Sequence, residues 1–185
     1  QHEDGHSHIL ANTIPNCVSY DPTFAHEVAV IMHDGLKRMV ERQENVFYYI
    51  TLLNENYAMP GLLPGTEEQI IKGMYLCKPG ADGDKRVQLL GSGTILRESL
   101  EAQTLLAADW GVQADVWSCP SFNELTREGQ DADRWNLLHP LETPRVPFVT
   151  RQLGSRTGPV VASTDYMKAY AEQIRPFVPK GRSYR

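Results

Sequence analysis

The sequence has few cysteines, no long apolar run and no cluster of basic residues. Its three cysteines lie far apart and include no C-x-x-C pair, so we expect reduced thiols, as in a cytoplasmic protein, and no disulfide framework. The longest nearly apolar stretch, residues 46–53, is too short to cross a bilayer. No charged segment followed by an apolar one marks a signal peptide.

Charge of either sign is also modest. The chain carries 18 Lys and Arg residues against 23 Asp and Glu residues, which gives a net charge of −5. Binding to nucleic acid or to an anionic membrane surface depends on basic residues, so we expect neither partner. Hydrophobic residues make up 41% and charged residues 22% of the 185 residues, which is enough for a packed core in one domain or in two small parts of larger ones.

Segments with strand-like and helix-like patterns alternate along the chain. This alternation is typical of βαβ units, so the sequence predicts an α/β fold with a mostly parallel sheet. Two such blocks, residues 1–57 and 85–185, flank a segment rich in Pro and Gly at 58–84, which we interpret as a linker. Neither block has enough strands for a finished sheet, and the chain opens without Met on a dense polar motif, so we expect a piece of a longer protein.

Residue patterns and capping signals place the individual elements. Strands are predicted at 17–20, 46–53, 74–77, 87–90, 112–118 and 160–162, and helices at 21–40, from 66, at 94–109, from 121 and at 164–176. The strand at 46–53 shows almost no alternation, which predicts burial on both faces. The helix starts are predicted from Asp21-Pro22, from capping boxes at 66–69 and 121–124, and from Thr164-Asp165.

The densest polar motif lies at residues 2–8 and contains three imidazoles and two carboxylates. A histidine with its usual pKa near 6.5 exchanges protons at neutral pH, and a neighbouring carboxylate can orient the ring or hold a substrate hydroxyl. Gly5 lets the backbone turn between the acidic and basic halves. The motif predicts a catalytic or substrate-binding loop, and a solvated polar stretch is the structural alternative.

Two other site types match the sequence less well. His and Asp are ordinary zinc ligands, so His2, His6 and His8 could belong to a small zinc hydrolase, but their spacing differs from H-E-x-x-H and no fourth ligand is apparent. The turn Gly91-Ser92-Gly93 follows a predicted strand and opens a predicted helix, as a dinucleotide-binding loop does. Leu96 stands where G-x-G-x-x-G requires its last glycine, so a plain tight turn is favoured.

The motif Glu3-Asp4-Gly5-x-x-His8 resembles the E-D-G-P-T-H loop of transketolases. The whole string from Gln1 to His8 is more similar to one branch of that superfamily, the homodimeric bacterial decarboxylating components of pyruvate dehydrogenase complexes. Further strings share the similarity, among them Asn54-Glu55-Asn56-Tyr57, Glu128-Gly129-Gln130-Asp131, residues 138–147 and residues 163–168. The resemblance covers essentially the entire chain.

This resemblance implies a division into domains and a set of cofactors. Residues 1–57 would be the tail of a pyrimidine-binding domain, 58–84 a linker, and 85–185 an incomplete transketolase C-terminal-like domain. The family uses thiamine diphosphate and Mg²⁺, whose ligands belong to earlier segments, so the resemblance places no cofactor-binding residue and no metal ligand in this chain. We therefore expect the chain alone to be inactive.

The resemblance also implies a reaction and the residues that serve it. The family decarboxylates pyruvate on thiamine diphosphate and transfers the acetyl group to a lipoyl group of an acetyltransferase core. His8 would be the catalytic proton donor, and Asp4 would position the substrate or the neighbouring imidazole. Second-tier substrate-binding residues would be His6, His2 and Glu3.

Partners follow from the same resemblance. They would be the second subunit of a homodimer, a lipoyl domain and the acetyltransferase core, in the cytoplasm. A function of another class stays open, in which the chain is a non-catalytic module that contributes only dimer and domain contacts. Replacing His8 in the complete enzyme separates the two, because only the first predicts a large loss of acetyl transfer with dimerisation intact.

Overall fold

The strands of the chain form two separate sheets that are connected by helices. The computed structural model describes residues 3–185. The helices are α1 (Ser7–Asn12), α2 (Ala25–Leu36), α3 (Glu67–Lys72), α4 (Ile95–Trp110), α5 (Phe122–Leu138), α6 (Phe148–Gly154) and α7 (Ala169–Glu172), and the strands are β1 (Cys17–Tyr20), β2 (Phe47–Ile50), β3 (Tyr75–Lys78), β4 (Arg86–Gly91), β5 (Gln113–Ser118) and β6 (Val160–Ser163). None of the helices within residues 3–185 has the length and apolar content needed to cross a membrane.

The second sheet is mostly parallel, as predicted. The first sheet holds only β1 and β2, which run parallel with Cys17 opposite Phe47. The second has the strand order β3-β5-β4-β6, in which β4 is parallel to both of its neighbours and β3 is an antiparallel edge strand. The predicted α/β fold is confirmed. Strand β3 lies inside the segment 58–84 that we interpreted as a linker, and its hydrogen bonds make this part of the segment an edge of the second sheet.

The second sheet has a hydrophobic core on each face because side chains alternate along its strands. Leu89 and Val116 belong to the core under α4, together with Leu96 of that helix. Leu90 and Trp117, one position further along each strand, belong to the larger core under α5, α6 and α7. A third, smaller cluster lies between the first sheet, α2 and α3.

Buried polar contacts join the first block to the second. Glu27 on α2 accepts hydrogen bonds from the hydroxyl groups of Tyr75 on β3 (2.8 Å) and Ser118 on β5 (2.5 Å). The side-chain amide of Asn123 on α5 donates to the carbonyl oxygen of His8 on α1 (2.7 Å). These contacts are all buried, so the two blocks pack together over a desolvated interface.

The helix predicted at 21–40 begins later and ends differently. Helix α2 begins at Ala25, and Asp21 does not cap it because its carboxylate accepts a hydrogen bond from the Thr51 hydroxyl (2.7 Å). Glu27 caps the helix instead, since its carboxylate accepts hydrogen bonds from the two backbone N–H groups that precede the first turn (2.6 and 3.1 Å). Residues 37–41 continue α2 as a π-helical turn.

The strand predicted at 46–53 is shorter and more exposed than expected. Strand β2 has four residues and, within residues 3–185, pairs with β1 alone. Phe47 is 45% exposed, whereas Tyr48 packs closely against Gly35 of α2. A strand covered by a helix on one face and by a partner on one edge cannot bury both faces, so the predicted double burial is wrong.

The capping predictions have mixed outcomes. Ser121 caps α5 as predicted, because its hydroxyl oxygen accepts a hydrogen bond from the backbone N–H of Glu124 (3.0 Å). Helix α3 forms as predicted, but the Thr66 hydroxyl donates to the carbonyl of Leu63 (2.7 Å) and caps nothing. The last predicted helix begins at Ala169 and has only four residues, followed by a 3₁₀ turn at 175–177.

Candidate functional site

An open cleft of about 640 Å³ lies where the first block meets the second sheet. Four of its lining residues, Asp21, Thr51, Gly93 and Asp165, come shortly after the carboxyl ends of β1, β2, β4 and β6 respectively. This is the edge at which open α/β sheets usually bind ligands. The topology therefore makes this cleft the candidate functional site.

The acidic half of the motif at residues 2–8 lies on the wall of the cleft. Glu3 and Asp4 both line it. Burial raises the pKa of Asp4, but hydrogen bonds from the side chain and backbone of Ser7 and from the backbone of His6 outweigh it, so the pKa lies below its usual value. Asp4 is therefore an ionised carboxylate at neutral pH, fixed at the start of α1.

The imidazole of His8 lies inside the protein, behind the cleft wall. The residue is 0% exposed, and its Nε2 atom is 2.9 Å from Oγ1 of Thr51. Three tyrosine rings surround it: Tyr49 and Tyr166 approach edge-on, and Tyr170 is stacked, with centroid distances of 4.8 to 5.3 Å. Among residues 3–185, Nδ1 has no hydrogen-bond partner.

Burial sets the protonation state of this ring. Desolvation lowers the pKa of His8 to about 4, although the nearby charge of Asp4 acts in the opposite direction. The imidazole is therefore neutral at pH 7. His8 itself does not line the cleft; its neighbours Tyr49, Thr51 and Tyr166 do, so its predicted role as proton donor stays a prediction.

Asp21 is a further carboxyl group at the cleft, and sequence reasoning missed it. Burial raises the pKa of Asp21 to about 6, against hydrogen bonds from Thr51 and Ser92 that lower it, and the charge of Glu27 raises it further. The Thr51 hydroxyl lies between Asp21 Oδ1 (2.7 Å) and the ring of His8. For Asp21 the sequence held a signal, because this residue directly follows the strand predicted at 17–20, whereas Thr51 lies inside the strand predicted at 46–53.

The remaining predicted site residues are dispersed. The side chain of His6 is exposed, on the outer side of the turn that leads into α1. His2 lies outside the described residues. Within residues 3–185, no three His, Cys, Asp or Glu side chains are grouped closely enough to hold a metal ion, so the zinc alternative gains no support.

The cleft does not suit a diphosphate group. Its described lining includes four carboxyl side chains, Glu3, Asp4, Asp21 and Asp165, and no Lys or Arg. A diphosphate needs cations or convergent backbone N–H groups to offset its charge. The described residues can therefore meet neutral hydroxyl or carbonyl groups of a ligand, and no cofactor-binding step is derived from them.

Two family comparisons divide the chain in the same way as its two sheets. Residues 1–60 match the pyruvate dehydrogenase E1 component middle domain, and residues 73–183 match the transketolase-like C-terminal domain. The boundary falls ahead of β3, in agreement with the pairing of this strand in the second sheet.

Curated relatives match nearly the whole chain. Pyruvate dehydrogenase E1 components from Escherichia coli, Pseudomonas aeruginosa and Cupriavidus necator are 61%, 60% and 59% identical to it over 97% of its length. The chain spans about a fifth of the length of these relatives, since the match covers 20% of each.

Solved structures confirm the fold at much lower identity. A transketolase variant from Pichia stipitis matches 88% of this chain and 20% of its own, with a TM-score of 0.55 and 16% identity. A transketolase from Leishmania mexicana matches 95% of this chain and 21% of its own, with a TM-score of 0.53 and 12% identity. From its family matches and its fold, the chain belongs to the transketolase-like C-terminal domain family, and its first 60 residues match the pyruvate dehydrogenase E1 component middle domain.

Proposed function

We propose that the chain is the substrate-side segment of a pyruvate dehydrogenase E1 component, which decarboxylates pyruvate and transfers the acetyl group to a lipoyl group. The observation that carries this proposal is the identity of about 60% that runs through both matched domains. Identity of this level across the cleft-forming segments supports the same reaction, whereas the fold alone supports only the superfamily.

The carboxylates that line the cleft determine which groups of a substrate can bind there. Asp4 is an ionised carboxylate that lines the cleft, so it is suited to accept a hydrogen bond from a hydroxyl group of a reaction intermediate. Pyruvate itself is an anion, and the carboxyl-rich wall does not attract its charged end. We propose that its carboxylate is held by groups outside residues 3–185, with Glu3, His6 and His2 as second-tier substrate-binding residues.

Thiamine diphosphate and Mg²⁺ belong to this proposal as cofactors of the complete protein. When bound, thiamine diphosphate supplies the carbanion chemistry that decarboxylation requires. Because the described lining of the cleft does not suit a diphosphate, we propose that other segments hold the cofactor and the metal ion. The chain alone is then expected to be inactive.

The decisive experiment measures pyruvate turnover by the full-length protein that contains this chain. We expect pyruvate-dependent CO₂ release and acetylation of a lipoyl domain, and a loss on the order of 100-fold in kcat/KM for Asp4→Asn and for His8→Gln. His33→Gln is the matched control, because His33 is exposed on α2, away from the cleft. Absence of turnover in the wild-type protein would refute the proposed function. Full activity in Asp4→Asn would refute the proposed site.

The second candidate is a non-catalytic module that contributes only dimer and domain contacts, and exposed apolar side chains favour it. Met32, Leu36 and Val40 near or beyond the end of α2 are 55–64% exposed, and Phe47 of β2 is also exposed. Apolar groups in this number usually face another protein surface. If Asp4→Asn and His8→Gln keep full turnover, this contact role becomes the better description.

The proposed setting follows from the proposed reaction. We propose a cytoplasmic homodimer that works with a lipoyl domain and an acetyltransferase core. The curated relatives are pyruvate dehydrogenase E1 components, which supports partners of this kind. Size measurement of the full-length protein, alone and with a lipoyl-bearing partner, tests both associations.

A further inference from the structure

The hydroxyl group of Thr51 stands at the centre of four polar atoms. Its Oγ1 atom is 2.7 Å from Asp21 Oδ1, 2.9 Å from His8 Nε2, 3.3 Å from the hydroxyl oxygen of Tyr166 and 3.4 Å from the carbonyl oxygen of Tyr20. These atoms come from α1, from the end of β1 and the residue after it, and from the segment after β6, whereas Thr51 itself follows β2. One hydroxyl therefore connects the buried imidazole to the carboxyl group at the cleft.

The number of hydrogens on this hydroxyl fixes the direction of its hydrogen bonds. A threonine hydroxyl donates one hydrogen and accepts through its lone pairs. The Asp21 carboxylate is both the nearest acceptor and the strongest, because charged acceptors form shorter and stronger bonds than a carbonyl. Thr51 thus donates to Asp21, and its oxygen is an acceptor both for the Tyr166 hydroxyl and for Nε2 of His8.

We propose that Thr51 is a positioning residue that holds the His8 imidazole in the tautomer with hydrogen on Nε2. The Nδ1 atom then carries the lone pair, and the ring presents an acceptor to whatever approaches on that side. The orientation of the ring is restricted by its contacts with Tyr49, Tyr166 and Tyr170. The hydrogen bond to Thr51 then selects the tautomer. Asp21 is ionised for most of its population at pH 7, since its pKa is about 6, and so remains an acceptor for Thr51.

The consequence concerns the type of chemistry that His8 can perform. A neutral ring with hydrogen on Nε2 can accept a proton or a hydrogen bond at Nδ1 but cannot donate from that atom. This assignment deepens the proposed function, and its effect on turnover rests on that function. The tautomer itself is a property of these residues and can be measured without turnover.

The direct test is ¹⁵N solid-state NMR of full-length protein labelled at histidine, compared with the His8→Gln variant to identify the signals of His8. Protonated and unprotonated ring nitrogens have well-separated signals. We expect His8 to show a protonated Nε2 and an unprotonated Nδ1 at pH 7. A protonated Nδ1 in the wild-type protein would overturn the proposal, whether or not the protein turns over pyruvate.

Two substitutions of Thr51 test the mechanism of positioning. Thr51→Val removes the hydroxyl and keeps the shape, whereas Thr51→Ser keeps the hydroxyl. We expect a mixture of tautomers and a kcat about five- to tenfold lower in Thr51→Val, and the wild-type tautomer and near wild-type kcat in Thr51→Ser. If Thr51→Val and Thr51→Ser gave the same His8 signals, the positioning role of Thr51 would be refuted. If the wild-type protein showed the expected tautomer but no pyruvate turnover, only the proposed function would be refuted.

Discussion

At the scale of single residues, the two titratable groups joined by Thr51 respond to pH in opposite directions. Burial lowers the pKa of His8 to about 4 from its usual 6.5, so the unfolded chain binds more protons than the native one between these values. Burial raises the pKa of Asp21 to about 6 from 3.8, so the native protein binds more protons in that window. The free energy of unfolding therefore falls on acidification through His8 and rises through Asp21.

Variants of these two residues should separate the two contributions. As the pH is lowered from 6.5 to 4, the free energy of unfolding of His8→Gln should rise relative to that of the wild type. That of Asp21→Asn should fall relative to it. Each difference should reach up to about 3 kcal/mol, because both groups are buried. The apparent melting temperature of the purified protein across this pH range provides the measurement. Asp109→Asn, at an exposed position on α4, should follow the wild-type curve. Differences of the same sign in both variants would contradict the assignment.

The sequence motif predicted residues on one wall of the candidate site, but it did not reveal the hydrogen bonds that join His8, Thr51 and Asp21. The motif at residues 2–8 predicted a catalytic or substrate-binding loop, the family resemblance implied a positioning role for Asp4, and the structure puts Asp4 on the cleft. Thr51 carries no such signal, because its importance depends on β1 and β2 being neighbours. Asp21-Pro22 was interpreted as a helix start, an ordinary local explanation that hid the longer-range contact with Thr51.

At the scale of elements, local signals predicted the second sheet better than the first block. Helix α4 lies between the turn at Gly91–Gly93 and Gly111, whose left-handed backbone ends the helix (φ 62°), and both signals are local. Helix α1 has only six residues, and its first turn depends on the side chain of Asp4 and on contacts with α5. Such a short helix is stabilised by its surroundings, so helical periodicity could not reveal it.

The cap of α5 gives a prediction at this scale. Ser121 accepts a hydrogen bond from Glu124 and donates one to the carbonyl of Ser19 in β1 (2.6 Å). Ser121→Ala should therefore lower the free energy of unfolding by about 2 kcal/mol, since it removes a cap and leaves a buried carbonyl without this donor. Chemical unfolding followed by circular dichroism measures the change. Ser155→Ala, at an exposed position after α6, is the control and should be neutral; a neutral Ser121→Ala would show that the cap contributes nothing.

At the scale of the whole molecule, Asn123 connects elements that are distant in sequence. Its amide nitrogen donates to the His8 carbonyl and to the Ser19 hydroxyl (2.6 Å), and its amide oxygen accepts from Gln173 (2.8 Å). The residue is completely buried on α5. One side chain therefore joins α1, β1 and the residue after α7 to helix α5.

Removal of this amide should loosen the first block more than the second sheet. We expect Asn123→Ala to increase hydrogen exchange at the backbone amides of α1 and β1 by about tenfold, with β4 and β5 unchanged, because those strands keep all of their own hydrogen bonds. Mass spectrometry of peptides from exchanged protein locates the effect. Asn136→Ala is the control, because the side chain of Asn136, within the described part of the chain, bonds to the backbone of Arg145 nearby in the sequence. Uniform acceleration across both sheets would contradict this role.

The dependence of β1 on the turn after β5 has a consequence for the order of folding. A pair of strands has little stability of its own. The backbone N–H of Asp21 donates to the carbonyl of Pro120 (2.7 Å), and Ser121 holds the carbonyl of Ser19, so both anchors come from the turn that β5 presents. That turn is held by the second sheet, because the backbone N–H of Cys119 donates to the carbonyl of Gly91 at the end of β4 (2.8 Å). We therefore expect β1 and β2 to assemble after the second sheet and, among residues 3–185, to open first on warming.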